Sequence, residues 1–547
     1  MLEQMLAELE QARFRFGPDE GKKTAALISR LHNEHFPDAA SLIRFHEALL
    51  FLRAYPANFE VVRAADLALE SVAERTRGMD GLDEPEVSGI AGTAFSAVFS
   101  YDTARQLASA FPGRIEADWE GYDTERLARC LPSLIPLVFE DASVEAHPPY
   151  LEWLRAAKQE GQSDVDWLLQ RLSPAGYDSL ELPLRWELGD SEVTRTRARF
   201  QTGAPLFFQD GPLVRRRDVS IADAGPELAV TALSPEEGEA VIAKTLATSA
   251  VRYRELYGFT YGDASRVMRA DAGRGVVFYL WGAPPERRLP LRAYHCGLIV
   301  RNEVPVGYVE TLTLFDRMEV GFNIYYTFRE GESAWTYARL LKLMRQLMPV
   351  KCFSVDPYQL GHLNEEAIQS GAFWFYRKLG FRPVEPEAAR LLAIEEKRIS
   401  KNPGHRTAPA RLRKLAAGHM LYGDDRTWDR FIVRSLGLAA ARKIAREFGG
   451  DAAAARCGAA AAVASALGMD REALPEEWAL VLSLIPGLEN WSAQEKQALV
   501  EIMSAKRSAE EFDYVRLMTR HERLRREIAL MGSADPVDRA VRDPRRQ

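Results

Sequence analysis

The chain has 547 residues, of which 47% are hydrophobic and 27% charged, with a formal net charge of −7. That length exceeds one ordinary core, so two to four domains of roughly 100–200 residues each are expected. The balance excludes a disordered chain, and the small acidic excess leaves no nucleic-acid footprint in the bulk composition.

From residue 1 to about 215 the pattern predicts a mainly helical domain. Its first residues, up to Gly17, place acidic and apolar positions at helical spacing, without the basic n-region and apolar run of a signal peptide. The run from Ala39 to Tyr55 puts Leu42, Phe45, Leu49, Phe51 and Leu52 on one broad face, and Pro56 ends it. Further helices are predicted over Val61–Arg77, Tyr101–Phe111, Thr124–Phe139 and Val165–Leu172, with no fixed repeat period. Leu180 to Arg217 is mixed and rich in arginine and aromatic residues.

At Gly225-Pro226 the character changes. Leu228–Ala232 is strand-like, and Ser234-Pro-Glu-Glu237 is a capping box opening a helix to about Tyr257. Strands are predicted over Gly275–Trp281, Ala293–Val300, Val304–Phe315 and Glu319–Phe328, with turns at Arg301-Asn302-Glu303 and Asp316-Arg317-Met318. A helix over Ser333–Met348, a short strand over Val350–Val355 and a helix over Glu365–Lys378, stopped by Gly380, complete the segment. Beyond residue 390, helices are predicted over Thr407–Met420, Asp425–Phe448, Ala452–Leu467 and Glu510–Met531, and the last fourteen or so residues are expected to fray.

The string β, α, β, β, β, α, β, α with a central hairpin is shared by many α+β folds. Two stretches make it more specific. One is Leu298-Ile-Val-Arg-Asn-Glu-Val-Pro-Val-Gly-Tyr-Val309, a strand, a polar turn, then an apolar pair and glycine. The other is Gln369-Ser-Gly-Ala-Phe-Trp-Phe-Tyr-Arg-Lys-Leu-Gly-Phe381. Residues 225–390 resemble the GNAT superfamily of N-acetyltransferases, whose last helix typically reads Asn-x-x-Ala-x-x-x-Tyr-x-Lys-x-Gly-Phe; Gln369 stands where asparagine is usual. The resemblance covers about 165 of the 547 residues. It implies an α+β chain in which a central GNAT-like mixed-sheet domain (225–390) lies between helical domains at 1–215 and 391–547. It also implies acetyl-CoA or another acyl-CoA as co-substrate, and Tyr376 as the acid that protonates the leaving thiolate.

Family members hold the coenzyme A pyrophosphate with a loop written Arg/Gln-x-x-Gly-x-Gly/Ala, between the fourth strand and the next helix, where backbone N–H groups and the positive helix end face the phosphates. The corresponding stretch is Phe328-Arg-Glu-Gly-Glu-Ser-Ala334. By resemblance, Arg329, Gly331, Ser333, Ala334 and Gln369 are the expected cofactor contacts. The loop departs from the pattern: Glu332 occupies the middle glycine position and Gly331 comes one residue early. Either Glu332 turns outward while Gly331 lets the backbone approach, or the cofactor site has been lost.

N-acetyl transfer needs a base for the attacking ammonium and an acid for the thiolate. Alternation along Val304–Phe315 puts Glu310 among Val306, Tyr308, Leu312 and Leu314, where desolvation raises a carboxylate's pKa and suits a base. Glu310 is the first candidate and Glu319 on the next strand the second, against a simple salt bridge with Arg292, Arg317 or Arg339. His362 is a candidate pocket residue past a strand end. Tyr257 and Tyr261 lie where family members contact the acceptor.

Cys130, Cys296, Cys352 and Cys457 form no CxxC or Cys/His ligand spacing, so no metal is expected. Glu140, Asp141, Glu145 and His147 match no ligand pattern either. With no spanning segment, the expectation is a cytoplasmic protein that acts on an amine of a small molecule, peptide or protein, without nucleic-acid or membrane partners; the helical domains offer surfaces for protein partners. The alternatives are a non-catalytic scaffold or acyl-CoA sensor on the same fold, and a transferase fed by an aminoacyl or acyl carrier.

Overall fold

The computed structural model describes residues 1–82 and 87–533. About half of the chain is helical and 13% is strand. Helices Leu2–Ala12, Pro18–His32, Ala39–Ala54 and Phe59–Glu70 open it, capped where Asp38 accepts from Ser41 N–H and Asn58 from Val61 N–H. The next segment adds strands to the mainly helical expectation. β1 (Ala94–Val98), β2 (Ile115–Ala117) and β3 (Pro183–Glu187) form a three-stranded antiparallel sheet in the order β1-β3-β2. Its strands are three to five residues long and distant in sequence, so local periodicity carries little trace of them.

The main sheet has nine strands: β4 (Ala229–Ala232), β5 (Met268–Gly273), β6 (Val276–Gly282), β7 (Ala293–Arg301), β8 (Val304–Leu314), β9 (Arg317–Ile324), β10 (Cys352–Val355), β11 (Arg382–Pro383) and β12 (Met420–Tyr422). They run in the order β11-β12-β10-β9-β8-β7-β6-β5-β4. Among the described residues the pairing is antiparallel except between β9 and β10, so the sheet is mixed. Asn302 and Glu303, both with positive φ, make the two-residue β7–β8 turn, the geometry that suits strand twist.

Several sequence expectations need correction. β5 and the two strands after residue 380 were not foreseen; Met420 belongs to β12, and the preceding helix covers only Pro409–Leu415. The Ser234 capping box opens a helix that stops at Ala250. Gly371 adopts φ +70° and divides the expected Glu365–Lys378 helix into Glu365–Ser370 and Ala372–Lys378. The Glu510–Met531 helix breaks at His521, and Asp425 lies ahead of the Val433–Phe448 helix. The residues expected to fray lie outside the described ones.

One contiguous apolar core runs from Met5 through the main sheet to Ala529, so both helical flanks share buried side chains with the sheet. A second core, Phe95 to Val251, belongs to the three-stranded sheet and its helices. A third covers part of the main sheet from Phe200 to Val300. Among the described residues, no helix is long and apolar enough to cross a membrane.

Candidate functional site

β9 and β10 pair only over Arg317–Glu319 and Cys352–Ser354. Beyond that point Pro357, which has no N–H to give a ladder, starts a short helix, Pro357–Leu360, capped by Asp356 and ended by Gly361 at φ +118°. The two strands part there, and a cleft of about 400 Å³ opens between the end of β9 and the helices after β10. It is lined by Tyr308, Glu310, Gly321, Asn323, Arg329, Ser333, Gln359, Glu366 and Tyr376, among others.

Four of the residues singled out in the sequence therefore meet: Tyr376, Glu310, Arg329 and Ser333. Tyr376 is buried, and burial pushes its phenol pKa above the ordinary value. Its hydroxyl donates to Gln359 Oε1 at 3.0 Å. The same oxygen accepts from the Phe322 backbone N–H of β9 at 3.3 Å. Glu310 accepts from Tyr294 Oη at 2.6 Å, and Tyr294 in turn accepts from Gly258 N–H at 3.0 Å. Burial raises the Glu310 pKa above the usual carboxylate range although the Tyr294 bond opposes it.

At the start of the Ser333–Leu347 helix, Arg329 binds the Glu366 carboxylate and donates to Ile324 O at 3.3 Å. Gly331 and Ala334 line an adjoining groove of about 600 Å³ that shares Arg329, Ser333 and Phe375 with the cleft. Glu332 does not turn outward. It turns into the core, fully buried, accepting from Arg301 Nη1 at 2.8 Å, Arg274 Nε at 3.0 Å and Val214 N–H at 2.9 Å. Burial would raise its pKa, but Arg274 and Arg301 hold it below the ordinary value, so this carboxylate is ionised and pointed away from the groove. Glycine is required at 331, where an added Cβ would come within 2.2 Å of Tyr55 Oη.

The other candidates fall elsewhere. Glu319 is outside the cleft, with Arg292 at 3.6 Å and Arg317 at 3.8 Å, the salt-bridge arrangement weighed against it. Asp356 and His419 join it with all three ligand-type atoms within 4.8 Å of one another, but the two guanidinium groups already compensate the Glu319 charge. Gln369 lines a separate cavity. His362 is not among the residues lining the cleft. Tyr257 and Tyr261 pack 4.8 Å apart between ring centres, and Tyr257 meets Tyr294 edge-on at 5.7 Å, so they back the Glu310 partner rather than line the cleft. Gln359, Glu366 and Tyr294 were missed. Gln359 lies in a loop by sequence, and only the Asp356-Pro357 start and Gly361 stop hint that it sits on a turn of helix.

Compared with protein-family models, curated proteins and solved structures, the chain matches none.

Proposed function

We propose that the chain is an acyl-CoA-dependent N-acyltransferase, most simply an acetyltransferase with a GNAT-like central sheet, acting on an amine acceptor. The observation that carries this reading is the meeting of Glu310, Tyr376 and the Phe322 N–H around one cleft where two parallel strands part. Glu310, kept basic by burial, accepts a proton from the acceptor ammonium. The freed amine attacks the thioester carbonyl, whose oxygen gains charge beside the Phe322 N–H. The C–S bond breaks, Tyr376 gives its proton to the departing sulfur, and the Tyr376 oxygen takes the remaining proton from the new amide nitrogen. Arg329 and the helix end at Ser333 suit the donor's phosphates, with Glu332 withdrawn behind them.

Gln359 favours a second reading, an acyl-CoA sensor or scaffold without turnover, because its carboxamide already uses both the Tyr376 hydroxyl and the Phe322 N–H. The test is calorimetric titration of the full chain with acetyl-CoA, followed by transfer and hydrolysis assays on the wild type and Tyr376→Phe. Binding with turnover that collapses in the variant supports the enzyme; binding with no turnover supports the sensor; no binding removes both.

A further inference from the structure

Arg215 and Arg216 stand side by side on the groove beside the cleft. Arg216 lines both that groove and a further cavity of about 540 Å³, whose walls include Gln369, Ser370, Trp374, Lys378, His405 and Arg406. Three parts of the chain with no sequence relation meet there: the linker before residue 225, the Ala372–Lys378 helix, and the turn after the Pro386–Lys401 helix. The three concavities are neighbours: the cleft and the groove share Ser333 and Phe375, the groove and the further cavity share Arg216, and the cleft and that cavity share Ser370.

The charge around this cavity is uncompensated. Among the described residues no carboxylate pairs with Arg216, Lys378 or Arg406; Arg406 reaches only the backbone oxygens of Gly404 and His405. Lys378 has its pKa lowered by burial and by the nearby charges of Arg216 and Arg406. The nearest acid behind the wall, Glu395, is buried and already held by His405 at 2.9 Å, Arg398 at 2.9 Å and Arg411 at 2.8 Å. Cations that repel one another around a concavity favour a bound polyanion. The Trp374 ring on the same wall, its Nε1–H tied to Thr407 at 3.1 Å, offers an aromatic face of the kind on which bases stack.

We infer that Arg216, Lys378 and Arg406, with Trp374, form a subsite for a phosphorylated nucleoside, the adenosine 3′,5′-bisphosphate end of the donor. This deepens the donor reading and rests on it for the thioester end. It also separates donors: a thioester on a carrier protein lacks that nucleoside, so the subsite selects the free nucleotide thioester. The probe is adenosine 3′,5′-bisphosphate, titrated calorimetrically into the full chain, wild type, Arg216→Gln and Lys378→Gln, beside acetyl-CoA and 3′-dephospho-acetyl-CoA. The bisphosphate should bind the wild type and weaken by about tenfold in each variant, as loss of one charge-assisted contact implies; acetyl-CoA should weaken in parallel, and the dephospho form little. No binding of the bisphosphate by the wild type, or equal binding by all three proteins, overturns the subsite. Bisphosphate binding that responds to the variants while acetyl-CoA does not bind leaves the subsite standing and removes the acyl-CoA reading. Equal affinity for the two thioesters in all three proteins keeps that reading and removes the subsite.

Discussion

Tyr376 and Gln359 share one hydrogen bond across the mouth of the parted strands, 3.0 Å from phenol oxygen to carboxamide oxygen. The same Gln359 oxygen takes the Phe322 N–H, and an added Cβ at Gly321 would lie 2.8 Å from Gln359 Nε2. The side chain therefore holds both of these donors, the ones that the proposed thioester would use, and on that proposal it would have to move for the donor to bind.

Gln359→Ala should tighten coenzyme A binding by about threefold to tenfold, because a site that is open only part of the time binds more weakly by that fraction. Glu366→Gln, which weakens the hold on Arg329, should act in the same direction. Calorimetric dissociation constants check both, and unchanged affinity in both variants would show that these contacts do not obstruct the site.

Tyr376→Phe should lower turnover by about 10²–10⁴-fold, the range of a lost general acid, while coenzyme A affinity stays near the wild-type value. The Phe322 N–H to Gln359 bond does not involve the hydroxyl that this variant removes. Steady-state kinetics beside direct binding separates the two effects.

Glu310→Gln bears on pH. The Glu310 pKa is raised in the folded chain, so the folded state holds this proton longer than the unfolded one. Stability therefore falls as pH rises from the ordinary carboxylate range through the raised value. Removing the titration makes the variant gain on the wild type as pH rises, while its turnover loses the limb that depends on the ionised base. Denaturant unfolding at pH 4 and pH 8 reads the first effect and a rate–pH profile the second; parallel stability curves would contradict the raised value.

Glu332→Ala should cost about 3–5 kcal/mol of stability, because it leaves Arg301 and Arg274 facing each other without their shared counter-charge. Gly331→Ala should cost about 1–3 kcal/mol by overpacking against Tyr55, a ring stacked on Phe51 at 4.7 Å with the Arg301 guanidinium 3.9 Å above it. Urea unfolding checks both.

Much of the central segment was legible residue by residue. The Ser234–Glu237 box, the place of the hairpin between β7 and β8 (though not that Arg301 belongs to the strand), the start of the Ser333 helix and the Gly380 stop are short-range signals read within a few positions. Glu310 was legible as well, since strand alternation alone places it among apolar neighbours. Glu319 was not, because the same alternation serves both carboxylates and only packing brings Arg292 and Arg317 to one of them.

Local spacing and capping chemistry marked many of the helices and strands and placed Glu310 on its strand face, because those preferences act over a few residues. Tyr376 and Arg329 were singled out by the resemblance of their stretches to the acetyltransferase pattern, and the short strands β1–β3, β5, β11 and β12 left no such local mark. Which way Glu332 turns, that Gln359 fills the gap between β9 and β10, and that Arg216 and Arg406 come to Lys378 were decided by the fold alone. Each depends on residues from tens to nearly two hundred positions away, whose approach follows from how the whole chain packs rather than from any local preference.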